Sequence, residues 1–177
     1  MNEKLINVKI LRQNIGGMEE LDNSGIYKWW APSQKLHEIL NKLNVDFPAI
    51  ENEIEDKSIE LQKLYCIYVG QAKNLKDRIK NHICGSIGNS TLRKSLGAIL
   101  RKDEDLDGLK DKINEFMNEL YVEWKRVDEP DLDGVESSEI RSRLRILNIE
   151  GFNHESFEKY IEDPLSKLRA ELKELKK

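Results

Sequence analysis

Arg78 and His82 stand four residues apart in the stretch Tyr68-Val69-Gly70-Gln71-Ala72-Lys73-Asn74-Leu75-Lys76-Asp77-Arg78-Ile79-Lys80-Asn81-His82. That spacing puts both on one face of a helix. A fixed guanidinium can grip a phosphate, and an imidazole can handle a proton near neutral pH. The same pair also suits the solvated face of an ordinary amphipathic helix. Two tyrosines lie beside glycines in strand-like runs: Tyr27 in Gly25-Ile26-Tyr27 and Tyr68 in Tyr68-Val69-Gly70. Taken singly, an aromatic strand residue is more often core than catalyst. Trp29-Trp30 offers rings for base stacking, but adjacent strand tryptophans more often pack into a core or a sheet edge. His37, His82 and His154 are scattered, without metal-ligand spacing. Cys66 and Cys84 are the only cysteines, which excludes both a disulfide framework and a four-thiolate zinc site. The chain has no glycine-rich phosphate loop of the P-loop kind and no G-x-S-x-G elbow.

The elements that must hold these residues are mixed. Residues 5–11 alternate at Ile6, Val8 and Ile10 and read as a short strand or arm before Gly16-Gly17. Residues 25–30 read as an aromatic-rich strand that Pro32 stops. Ser33 can cap a helix carrying Leu36, Ile39, Leu40 and Leu43 on one stripe. The acidic run 49–63 reads as helical. Leu64 to Val69 (LYCIYV) is the strongest strand, and Asn74 can cap a helix over 75–84 with Leu75, Ile79 and Ile83 inward. Ser90 or Thr91 opens a helix to about Leu100. After a polar break at 103–108, a third helix carries Leu109, Ile113, Phe116 and Met117. Tyr121 to Lys125 alternates as a strand, 128–134 reads as a loop, and 135–146 as a helix. Asp163-Pro164 has the form of a helix start, ahead of a leucine stripe at Leu165, Leu168, Leu172 and Leu175. That stripe is too short for an independent coiled coil.

The chain has 177 residues, which predicts one domain over 1–177 with roughly 70% of its unfolded surface buried. Charged residues are 35% and the hydrophobic set 38%, too apolar for a wholly disordered chain. No apolar run is long enough for a membrane span. The charged start MNEKLINVKILRQN lacks a secretory pattern, so a cytoplasmic protein with reduced thiols is expected. The net charge of −4 argues mildly against nucleic-acid binding. It is uneven, however. Gln71 to Lys102 holds eight basic residues, including Lys73, Lys76, Lys80, Arg93 and Lys94, against Asp77 alone. Ser33 to Leu64 holds four lysines against seven acids. A basic block on an acidic chain suits a phosphate-facing surface, although a solvated helix face explains it as well.

Taken together, Gly25-Ile26-Tyr27, then Tyr68-Val69-Gly70, then Arg78 and His82 resemble the GIY-YIG nuclease family. That family's next motif, a glutamate opening a later helix, resembles Glu136-Ser137-Ser138-Glu139-Ile140, and its asparagine resembles Asn148, with Asn153 as the alternative. The matching motifs span 24–148. The resemblance implies an α/β (α+β) domain around a small three-stranded antiparallel sheet, from 25–30, 64–69 and 120–126, flanked by helices. A helical insertion at about 31–63 would separate the first two core strands, and a helical extension would occupy about 155–177.

The resemblance further implies a metal-dependent DNA endonuclease. Tyr27, Tyr68, Arg78, His82 and Glu136 would be catalytic, with Gly25, Gly70 and Asn148 supporting. Glu136 would hold one Mg²⁺ or Mn²⁺, which keeps most of its waters. Tyr27 would take a proton from the attacking water, and since a phenol near pKa ~10 is a poor base it needs a neighbouring cation. Arg78 would neutralise charge on the phosphate, and Tyr68 and His82 would position water or relay the proton. Gly70 would let backbone approach closely. Lys73, Lys76, Lys80, Arg93 and Lys94 would contact nucleic acid, with DNA the expected partner; the residues do not separate it from RNA. A homodimer through the insertion or the C-terminal helix is a further expectation.

The chain departs from the family pattern in four places. Forty residues separate Tyr27 from Tyr68, where a short turn is usual. Position 71 is Gln where some relatives have lysine, Glu139 replaces an apolar residue, and Arg145 stands where proline is common. The contrasting reading is a catalytically inactive scaffold that binds nucleic acid or protein, which the acidic balance supports.

Overall fold

The run Ile26-Tyr27-Lys28-Trp29-Trp30 joins β-branched and aromatic side chains that fit a pleated, half-buried surface, and it forms the central strand of a sheet. The computed structural model describes residues 4–101, 108–148 and 161–174. Strand β1 (Ile6–Asn7) leads into α1 (Val8–Asn14), β2 (Gly25–Pro32), α2 (Ser33–Leu43) and α3 (Phe47–Ile50). Strands β3 (Asp56–Ile59) and β4 (Gln62–Ala72) follow, then α4 (Leu75–Cys84), α5 (Thr91–Leu100) and α6 (Leu109–Asn118). Strand β5 (Tyr121–Arg126) precedes α7 (Leu132–Ser142) and α8 (Asp163–Glu174). Among the described residues no helix is long and apolar enough to cross a membrane.

The expected trio of strands is present as β5-β2-β4. The expectation of three strands is corrected, because the antiparallel sheet has five, in the order β1-β5-β2-β4-β3. The added edges are two and four residues long and form by pairing with longer neighbours rather than by their own pattern. The stretch read as a strand or arm over 5–11 is strand only at Ile6–Asn7, and Asn7 caps α1 by accepting from the Lys9 amide. The helical reading of 49–63 is corrected as well. Helix stops at Ile50, a 3₁₀ turn covers Glu51–Glu53, and Asp56–Ile59 forms a hairpin with β4. The hairpin turns through Glu60, whose φ is 52°, and leaves Leu61 fully exposed.

The two faces of the sheet are unequal. Tyr27, Trp29, Ile67, Tyr68 and Val122 belong to the larger core, together with residues of α1, α2, α4, α5, α6 and α8. Ile26, Trp30, Leu64, Cys66 and Val69 face the other way and are covered by Leu132 and Ile140 of α7. A bulge carries Tyr68 to the first face. Trp29 pairs with Tyr68 but Trp30 pairs with Cys66, so Ile67 is the extra residue. Ile67 and Tyr68 then point to the same side as Tyr27, where strict alternation would have opposed them.

Helix α5 is buried almost all round, and Gly97 lets it sit close to Ile87, Ile113 and Leu172. Helix α7 differs from the helix read over 135–146. It starts at Leu132, inside the stretch read as a loop, and stops at Ser142 because Arg143 is extended (φ −153°, ψ 155°). The next residues run against the exposed edge of β4 beyond β3, where the Leu147 amide donates to the Ile67 carbonyl at 2.9 Å. Lys102, Asn153, His154, Leu175 and the part of the expected C-terminal extension at 155–160 lie outside the described residues.

Candidate active site

Tyr27 sits at the centre of β2, paired with Gly70 on one side and Trp124 on the other. Its ring lies across Gly70, and a Cβ there would meet the Tyr27 hydroxyl at 2.3 Å. The glycine is required for this close approach. Gly25 has a similar role two residues earlier in β2, since its Cβ would meet the Lys125 carbonyl at 2.2 Å.

Helix α4 brings Arg78 and His82 to the same point. Asn74 caps the helix by accepting from the Asp77 amide, and Leu75, Ile79 and Ile83 anchor its inner face. The Arg78 Nε donates to the Tyr27 hydroxyl at 3.2 Å, and His82 Nε2 lies 2.8 Å from that oxygen. The His82 Nδ1 lies 2.6 Å from Ser90 Oγ. Tyr68 stacks beside Tyr27, ring centroids 6.3 Å apart, and presents its edge to His82.

These surroundings set the protonation states. Burial, with Arg78 and Arg93 nearby, pushes His82 down to about 3, so its ring is neutral across the physiological range. Burial, with Tyr68 alongside, raises Tyr27; Arg78 pulls the other way through its charge and its hydrogen bond. Burial also raises Tyr68, and Arg78 again opposes it. Arg78 is thus the group that makes a phenolate here less costly.

Glu136 enters from α7 at the end of β4. It is half-buried, and burial raises its carboxyl, while the backbone and side chain of Gln71 and the charge of Arg78 favour the ionised form. Its charge also reaches Tyr27 and Tyr68. Gln71 Nε2 donates to Asp133 Oδ1 at 2.6 Å, beside the same carboxylate. The other acid, Glu139, is engaged elsewhere: Lys28 lies 2.8 Å and Lys125 2.9 Å from its carboxyl oxygens. Burial of Glu139 is outweighed by these lysines, which hold it below the usual carboxylate range. Lys28 also pairs with Glu55 at 3.1 Å, and Glu55 with buried Arg145. This network fastens α7 and the segment around Glu55 to the second face of the sheet, one helical turn from Glu136.

Asn148 braces the site from the edge. Its Oδ1 accepts from the Val69 amide at 2.9 Å and its Nδ2 donates to the Val69 carbonyl at 2.8 Å. That bidentate pairing satisfies the backbone of β4 next to Gly70, where no strand among the described residues continues the sheet. It holds β4 through the Val69 backbone.

An open cleft of about 460 Å³ lies against this cluster, lined by Gln71, Lys73, Asn74, Asp77, Arg78 and Asn81. Lys73 is exposed and lies 3.2 Å from Glu129. Lys80 and Lys94 are exposed, whereas Lys76 pairs with Asp22 at 2.7 Å. The assignment of Arg93 to a nucleic-acid surface is corrected. Its side chain is fully buried, and Nη1 donates to the carbonyls of His82 and Ile83 at 3.1 Å each. It closes the C-terminal end of α4, where a cation also complements the helix dipole. Trp29 and Trp30 are buried and unavailable for stacking on bases.

The sequence reading used Ser90 only as a helix cap and missed its contact with His82. Its burial and its distance from His82 come from the packing of α5 against α4, for which the sequence held no separate signal. The family model described as the GIY-YIG catalytic domain matches residues 25–171. No curated protein and no solved structure matches the chain.

Proposed function

As the chain belongs to the GIY-YIG catalytic domain family, whose membership implies nuclease-type activity on nucleic acid, we propose that it is a metal-dependent DNA endonuclease hydrolysing phosphodiester bonds. The observation that carries this reading is the Tyr27 hydroxyl, held between Arg78 Nε and His82 Nε2 beside a cleft that Lys73 also lines. A structural tyrosine needs one partner for its hydroxyl; two nitrogen partners and a neighbouring second tyrosine suit a phenol that must change its protonation.

Residue roles follow from placement. A phosphate in the cleft would meet Arg78, whose remaining guanidinium N–H groups suit bidentate capture and stabilise charge as it develops on the phosphoryl oxygens. Tyr27, once ionised, accepts a proton from the attacking water. The water oxygen bonds to phosphorus as the bond to the leaving sugar oxygen breaks; that oxygen takes up a proton from solvent water, and the proton gained by Tyr27 returns to solvent. Tyr68 stands beside Tyr27 and orients water or phosphate. The neutral His82 holds the Tyr27 oxygen in place.

The donor set fits a hard, hydrated divalent cation. Among the described residues no three His, Cys, Asp or Glu side chains are grouped to cage a metal, and Glu139 is neutralised by two lysines. Glu136 therefore stands as the single inner carboxylate, with Asp133 nearby, as suits Mg²⁺ or Mn²⁺ taking water and phosphate oxygens as its other ligands. When bound there, such an ion supplies Lewis acidity to the phosphoryl oxygen and charge to the leaving oxygen.

Nicking of supercoiled plasmid and of branched and single-stranded DNA and RNA, with Mg²⁺, Mn²⁺ or a chelator, tests the reading. Metal-dependent DNA cleavage that Glu136→Gln abolishes is the expected result. Salt-sensitive binding of DNA without cleavage by the unaltered protein would instead establish the inactive scaffold. Cleavage confined to RNA would overturn the DNA assignment.

A further inference from the structure

The buried serine behind His82 makes a contact that capping alone does not explain. Ser90 Oγ accepts from the Arg93 amide at 3.1 Å, the ordinary N-cap bond of α5. The same oxygen lies 2.6 Å from His82 Nδ1. Both side chains are fully buried. A buried hydroxyl hydrogen needs an acceptor, and among the described residues His82 Nδ1 is the acceptor within reach of this one.

We propose that Ser90 is a positioning residue that donates to His82 Nδ1 and so fixes the ring proton on Nε2, aimed at the Tyr27 oxygen. This rests on the proposed role of Tyr27.

The alternative tautomer places the hydrogens worse. With the proton on Nδ1, Ser90 Oγ would accept from both His82 and Arg93, and its own hydrogen would be left without a partner. With the proton on Nε2, Ser90, the Arg93 amide and both His82 nitrogens are satisfied, and only the Tyr27 hydrogen needs another partner, which Tyr68 supplies. The Tyr27 oxygen then accepts from two N–H donors, Arg78 Nε at 3.2 Å and His82 Nε2 at 2.8 Å. Its own hydrogen cannot point at either and turns toward Tyr68. Such an oxygen is arranged for the phenolate: two fixed donors hold the charge.

The inverse arrangement, a phenol donating to His82, would make the histidine the proton acceptor. The buried ring is poorly suited to that, with Arg78 on its own helix and Arg93 on α5 both opposing an imidazolium. The other groups bearing on the Tyr27–Tyr68 pair are Glu136 from α7, which disfavours phenolate, and Arg169 from α8, which favours it at Tyr68.

The tautomer is read directly by ¹⁵N-detected histidine NMR on the whole protein, with His82 assigned by comparison with His82→Gln. The expected spectrum at neutral pH shows a protonated Nε2 and a bare Nδ1. A protonated Nδ1 overturns the proposal whether or not the protein cleaves DNA, so it fails or stands apart from the nuclease reading. Ser90→Ala removes the donor; Ser90→Thr keeps both hydroxyl and cap. In single-turnover cleavage, Ser90→Ala is expected to lose about 10- to 100-fold with DNA affinity unchanged. Its rising pH limb should move to higher pH, because the phenolate has lost one ordered donor. Ser90→Thr should restore rate and pH profile. A Ser90→Ala protein that is merely less stable, with the pH limb unmoved, would refute the role in cleavage.

Discussion

Replacing Gly70 by alanine adds a single methyl group, and the structure places it almost on the Tyr27 hydroxyl. The new Cβ would sit 2.3 Å from that oxygen and 2.5 Å from the ring carbon bearing it, whereas ordinary contact begins near 3.4 Å. Neither backbone can yield cheaply, since Gly70 and Tyr27 are register partners in the middle of the sheet and Asn148 pins the neighbouring Val69. The ring must therefore move by about 1 Å to restore normal contact. Displacement on that scale breaks the bonds to His82, now 2.8 Å, and Arg78, now 3.2 Å. Overpacking of this kind costs about 1–3 kcal/mol of stability, and an error of about 1 Å in a reacting group costs about 100-fold in rate. Gly70→Ala should therefore fold, bind DNA as the parent does, and cleave about 100-fold more slowly in single-turnover assays. Stability would be read by urea denaturation and affinity by anisotropy in the presence of a chelator. A variant that folds with the expected destabilisation yet cleaves within about threefold of the parent would refute the claim that the Tyr27 position limits the reaction.

Three further outcomes follow from the same contacts. His82 is held neutral at about 3 in the fold but titrates near 6.5 when exposed, so between those values the unfolded chain binds the extra proton and stability rises with pH. His82→Gln should flatten that slope by about 1.4 kcal/mol per pH unit in urea denaturation from pH 4 to 6; an unchanged slope would contradict the buried neutral ring. Arg93→Met should cost about 1–3 kcal/mol, since the His82 carbonyl and the Asn114 side chain lose a donor and the Ile83 carbonyl keeps Arg12, while leaving the salt dependence of DNA binding intact. Lys73→Ala or Lys80→Ala should instead leave stability alone and lower the salt slope of binding by about one; the reverse pattern would restore Arg93 to the binding surface.

Much of this arrangement was legible because single residue types had single physical reasons. Gly25 and Gly70 mark places where backbone and ring approach too closely for a side chain. The i, i+4 spacing of Arg78 and His82, behind the Asn74 cap, places both on one helix face. The harder parts depend on neighbours distant in sequence. Nothing in Leu64 to Val69 announces the bulge at Ile67, yet that bulge turns Tyr68 to the side of Tyr27. Asp56 to Ile59 carries no apolar alternation and becomes strand only because the edge of β4 away from β2 receives it over Gln62 to Tyr65. Arg93 looked like a surface cation because its burial comes from α5 being enclosed by α4, α6 and α8 together. Two further cations of the basic block are paired within the chain: Lys76 with Asp22 and Arg101 with Glu171.

Tyr27→Phe in single-turnover cleavage with saturating Mg²⁺ addresses the central claim most directly, because it deletes one oxygen and leaves the ring that packs over Gly70. The account predicts a loss of about 10²- to 10⁴-fold, the range for removing a positioned general base, with DNA affinity unchanged. A Tyr27→Phe protein that cleaves within a few-fold of the parent would contradict it.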